Sequence, residues 1–156
     1  MYLWLKVIHV AAVVIFLGNI ITGLFWHAFA SRTRDPRLLA HTVSGIIRSD
    51  QVFTIPGVAG IAVAGVWAAI VGHYPIMRTP WILWSLILFA ISGISFMTRV
   101  APLQRELRRI AENGRDGGSF DWARYAAVTR QWEIWGAVAT LAPVAALCLM
   151  ILKPTF

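Results

Sequence analysis

The stretch Tyr2 to Phe29, YLWLKVIHVAAVVIFLGNIITGLFWHAF, limits the possible folds more than any other. At ~1.5 Å of rise per residue, a helix of that length crosses a ~30 Å hydrocarbon layer with room to tilt. It is too long for the apolar core of a cleavable signal peptide, and Gly23-Leu24-Phe25-Trp26 makes a poor cleavage site, so it is read as a retained first span. His9 and His27 lie 18 residues apart within it. That separation is about five helical turns and returns both to one face, with Val13, Phe16, Ile20 and Gly23 between them. Imidazoles are costly in lipid, so this face is expected to look into a bundle.

The rest of the chain supplies the partners. With 58% hydrophobic and 13% charged residues in 156, several spans are implied rather than a soluble core. Further spans are expected at about 50–72, 81–101 and 121–152, giving an all-α integral membrane protein, a four-transmembrane-helix bundle forming one domain over 1–156. Between the first two, Asp35-Pro36 reads as a helix cap and first turn. Leu38, Leu39, Val43, Ile46 and Ile47 follow at helical spacing, as in a short amphipathic helix on the membrane surface. Pro56 cannot donate to the carbonyl of Val52, so a bend or a compensating group is expected there, and Pro143 should kink the last span. Gly57, Gly60, Ala64 and Gly65 keep one side of the second span small enough for close helix packing. The third span is expected to continue as a charged helix through Glu112.

Eleven of the fourteen Lys and Arg residues fall in two connections, 31–49 and the region from Arg99 to Arg130. By the positive-inside rule both are expected in the cytoplasm of a bacterial inner-membrane protein, with both termini and the His73 loop periplasmic. Trp4, Trp67, Trp81 and Trp84 then form one interfacial belt, and Trp26, Trp122, Trp132 and Trp135 the other. The net charge of +7 is thereby explained by topology, with no nucleic-acid partner implied. Anionic lipids at the cytoplasmic face are the expected partners, at about 1 kcal/mol per basic residue near the surface. Self-association into a homo-oligomer stays open.

The ionisable residues sort into two layers. The outer layer holds Lys6, His9 and His73; His9 lies one to two turns inside the helix, where a neutral imidazole can ligate iron or another metal, pass protons, or bond a neighbouring helix. His73 is a candidate second axial ligand and Lys6 a candidate partner for a propionate. The inner layer holds His27, Asp50, Arg99, Arg130 and Glu133, and reads as a salt-bridge network in which Glu133 points inward. The single cysteine, Cys148, excludes an intramolecular disulfide and a multi-thiolate metal site. No phosphate-binding glycine loop, His-Glu-x-x-His, nucleophile elbow or Cys-x-x-Cys occurs.

Leu5-Lys6-Val7-Ile8-His9 with Thr22-Gly23-Leu24-Phe25 resembles the first span of the HemJ-type protoporphyrinogen oxidases. Phe53-Thr54-Ile55-Pro56-Gly57, Trp81-Ile82-Leu83 and Arg130-Gln131-Trp132-Glu133 with Lys153-Pro154 look like their later blocks. The chain is similar also to an allied group of small predicted membrane proteins of unknown function, and more remotely to the copper-resistance D domain. The resemblance implies a four-helix bundle in which His9 ligates haem b. It also implies a lysine in the third span, where this chain has Ser85 and no lysine at all, so porphyrinogen oxidation is not expected.

The leading expectation is a haem b or porphyrin-binding membrane protein with a redox or electron-transfer role. The alternative is a cofactor-free bundle acting as a partner protein or small-solute conduit, along a polar stripe of Ser85, Ser92, Arg99, Thr140 and Glu133. A copper-handling protein ranks last, because few soft ligands can reach His9.

Overall fold

The computed structural model describes residues 1–154. Four of its helical stretches are long and apolar enough to cross a membrane: Tyr2–Thr33, Pro36–Val71, Pro80–Arg115 and Trp122–Leu152. α1 (Tyr2–Thr33) stops at Arg34, which turns left-handed at φ 52° and ψ 32°. Asp35 then caps α2 (Pro36–Ser49), its carboxylate accepting the Arg37 backbone N–H at 2.8 Å, with Pro36 in the first turn where its missing N–H costs little.

The expected short amphipathic helix is present as α2, which continues through one wide turn, Asp50–Thr54, into α3 (Ile55–Val71). Leu39, Val43 and Ile46 of the α2 apolar stripe are buried in the protein, Leu39 and Val43 among the most deeply of any side chain described, while Leu38 stays exposed. The third long stretch repeats the device. α4 (Pro80–Ser95) passes through a wide turn at Phe96–Val100 into α5 (Ala101–Arg115), the charged continuation expected from the sequence.

Both wide turns have the same cause. Pro56 and Pro102 lack an N–H, and their rings would collide with the carbonyls four residues back. Widening the preceding turn lets Ile55 N–H donate to the Asp50 carbonyl and Ala101 N–H to that of Phe96, and the helices continue. α6 (Trp122–Leu152), capped by the Asp121 carboxylate on the Arg124 N–H, contains Pro143. There the freed carbonyl of Ala139 accepts the Ser92 hydroxyl of α4 at 2.6 Å.

The four spans pair as two hairpins. α1 lies on α3, where Gly57 and Gly60 let the backbones close: a Cβ on Gly57 would stand 3.2 Å from the Phe16 Cβ, and one on Gly60 3.1 Å from that of Ala12. α4 lies on α6, and α2 packs on α5 at the arginine-rich end. The main core sits at that end, built on Leu39, Val43, Leu107, Ile110, Tyr125 and Trp132. A smaller cluster of Ala12, Phe16 and Ile61 sits higher in the α1–α3 hairpin, with Phe89 of α4 edge-on to Phe16 at 6.1 Å.

Candidate functional site

His9 faces α3. Its Nδ1 lies 2.9 Å from the backbone carbonyl oxygen of Ile61, and because a carbonyl only accepts, Nδ1 carries the proton and donates. In the neutral form of the ring the lone pair is then on Nε2. The ring rests on Gly65, where a Cβ would come within 2.8 Å of both Cε1 and Nδ1. Gly65 thus makes room for the ring, and Ile61 fixes its tautomer. His9 as a whole is half-buried.

A second polar centre lies deeper, where the two wide-turn helices meet. Asp50 is buried, and its Oδ1 accepts from Asn19 Nδ2 at 3.1 Å and Thr54 Oγ1 at 2.7 Å, while Oδ2 accepts from Gln104 Nε2 at 2.9 Å. Asn19 Nδ2 also donates to Thr54 Oγ1 at 2.8 Å. All of these donors are neutral. A cavity of about 30 Å³, room for about one water, borders Asn19, Asp50, Gln104 and Trp132. The Trp132 indole N–H is buried without a hydrogen-bond partner among the described residues. On the other side of Trp132, its ring lies 4.8 Å from that of His27, whose Nε2 shares a 3.0 Å hydrogen bond with the Tyr125 hydroxyl.

The family model for predicted integral membrane proteins, DUF2269, matches residues 3–154. The chain belongs to this family. No curated protein and no solved structure matches it. The DUF2269 match agrees with the expected group of small membrane proteins, and it does not extend to kinship with the HemJ-type oxidases or the copper-resistance D domain.

In this DUF2269 chain the two expected layers come apart. His9 sits level with Ile61 and Gly65, whereas His73 follows Gly72, whose neighbour on α1 is the Tyr2 ring. Seven residues of α1 separate those levels, roughly 10 Å of rise. His73 is exposed and left-handed at φ 55°. With its own N–H on the Ile70 carbonyl and that of Tyr74 on the Ala69 carbonyl, it terminates α3. Lys6 is exposed, its ammonium 5.5 Å from the centre of the Tyr2 ring.

The expected inner salt-bridge network is also corrected. Asp50 is held by amides and a hydroxyl, and His27 by Tyr125 and Trp132. Arg99 lies 5.2 Å over the Trp135 ring, and Arg130 and Glu133 are exposed. The ion pairs among the described residues lie beyond the apolar stretches, on α5 and the start of α6. Burying a charged pair costs more than burying neutral hydrogen bonds, and Glu133 is off the buried stripe of α6 that runs through Tyr125, Trp132, Gly136, Ala139 and Ala146. The Ser85 and Ser92 hydroxyls donate to the carbonyls of Ala146 and Ala139, across the α4–α6 contact.

Asn19, Gln104, Gly65 and Tyr125 are the members that sequence reasoning missed. Asn19 had a signal, being a carboxamide in the middle of an apolar run. Gln104 had none, since it stands among charged residues and is brought inward only by the contact of α5 with α2.

Proposed function

We propose that this chain is a membrane-embedded haem b-binding protein with a redox role, in which His9 is the iron ligand. One observation carries the reading: the His9 ring is anchored through Nδ1–H on the Ile61 carbonyl, which in the neutral ring leaves Nε2 as a lone-pair donor on a half-buried side chain. Metal-binding histidines are commonly fixed in this manner, by a hydrogen bond from the nitrogen that does not bind metal. No group of three or more His, Cys, Asp or Glu side chains that could hold a metal occurs among the described residues. A lone imidazole is a poor site for a bare ion but sufficient for an iron that already has four porphyrin nitrogens. This favours haem over a copper-handling role.

With His73 about two turns away, the ligand set reduces to His9, and Lys6, one turn along α1, is the cation available to a propionate. Held by His9, a bound haem would supply one-electron chemistry. The arginine-rich end would face the cytoplasm and the His73 loop the periplasm.

An absorbance spectrum of the protein purified from haem-sufficient cells, with and without dithionite, tests the reading. A Soret band is expected in the wild type, lost in His9→Ala and retained in His73→Gly. A band unchanged by His9→Ala, or none in the wild type, excludes His9 as the ligand.

A further inference from the structure

At the arginine-rich end, between the last turn of α1 and the first turns of α6, lies an open pocket of about 310 Å³. Its lining includes Arg34, Arg130, Ser31, Thr129, Trp122 and Glu133. Neither Arg34 nor Arg130 has a carboxylate within ion-pairing distance among the described residues. The Thr129 hydroxyl likewise has no hydrogen-bond partner there. Ser31 donates to the His27 carbonyl, which leaves its oxygen lone pairs and no free proton.

We propose that this pocket binds the headgroup of an anionic phospholipid. Two guanidiniums that are not ion-paired, lining one pocket, suit a phosphate, since their planar forks match its oxygens. Glu133, Ser31 and Thr129 add acceptors, which suit a headgroup with hydroxyl donors beyond the phosphate, as glycerol has. Trp122 is a side chain that settles at the headgroup level. Next along α6, Ile134 and Val138 are exposed apolar surface of the kind acyl chains cover. The site is separate from His9 and stands or falls without it.

The conformation of Arg34 makes the proposal testable apart from folding. A left-handed non-glycine residue carries a conformational cost, and glycine at that position removes it. Arg34→Gly is therefore expected to fold at least as stably as the wild type while losing half of the phosphate-binding pair.

Native mass spectrometry of the detergent-solubilised full chain with phosphatidylglycerol or phosphatidylcholine reads the occupancy directly. One phosphatidylglycerol per chain is expected on the wild type, in preference to phosphatidylcholine. Its affinity should fall at least about tenfold in Arg34→Gly and in Arg130→Gln, the loss of one charge-assisted contact. Arg115→Gln, which removes the same charge from an exposed pair with Asp116, should leave it unchanged. Equal weakening by Arg115→Gln would mean diffuse attraction and overturn the site. So would unchanged binding in Arg34→Gly/Arg130→Gln. Full displacement of the lipid by glycerol phosphate at equal concentration would assign the pocket to a soluble phosphate ester instead.

Discussion

A single missing methyl group decides where the His9 ring can sit. Gly65 lies under the imidazole, and an alanine there would place its Cβ 2.8 Å from two ring atoms. The ring is on a rotatable side chain, so it can swing away, but only by giving up the Ile61 carbonyl. Alanine is also the better helix former, by roughly 0.5–1 kcal/mol. Gly65→Ala should therefore keep or raise thermal stability while abolishing or shifting any Soret band. An unaltered spectrum in that variant would show that the ring's anchorage has no part in binding. His73 shows the opposite case, a histidine whose place is set by backbone geometry at a helix end rather than by what its ring could bind.

At the scale of elements, prolines recur where chemistry or packing needs a carbonyl. Pro143 leaves the Ala139 carbonyl without its helical donor, and Ser92 supplies one across the helix interface. Ser92→Ala should cost about 1 kcal/mol, the range of interhelical bonds within membranes. In a Pro143→Ala background residue 143 donates again, so the same change should cost much less. Equal costs in both backgrounds, measured by reversible unfolding in detergent, would mean that the two residues are uncoupled.

The junction between α5 and α6 has a different chemistry. The Arg109 hydrogen bond, with further help from Arg124, holds the Glu106 carboxyl down at about 2 from its ordinary 4.5. Because the folded value is the lower one, this contribution is present above pH 4.5 and is lost as pH falls from 4.5 toward 2. Glu106→Gln should flatten the fall in thermal stability over that window. An identical slope in wild type and variant would place the acid sensitivity elsewhere.

For the molecule as a whole, two apolar hairpins are locked at one end by the pairing of α2 with α5, and the Asp50–Gln104 centre depends on that arrangement. Asp50 and Gln104 meet because the wide turns above them let each helix continue past its proline. The distribution of arginines sets the expected orientation. In a Cys148→Ala background, Ser119→Cys should react with a membrane-impermeant maleimide in inverted vesicles and not in intact spheroplasts, and Met77→Cys should do the reverse. The opposite pattern would invert the topology.

The number of spans, their helical state and the small side of α3 that lets a neighbour approach follow from the sequence alone; that α1 is the neighbour came from the structure. Apolar run length and the positions of Gly57 and Gly60 are local quantities that a bilayer converts directly into helices and contacts. The inward face of α1 was legible for the same reason, since period and composition put both of its histidines on one side. Which polar groups meet was decided only by tertiary structure. Asn19, Asp50 and Gln104 come from three separate helices, and the wide turn at Asp50–Thr54 shifts the helical phase that residue spacing assumes. Charge counting therefore suggested salt bridges, whereas packing brought neutral amides to the buried carboxylate and left Arg130 and Glu133 at the surface. A low-dielectric interior favours that outcome, because neutral hydrogen bonds are cheaper to bury than ion pairs.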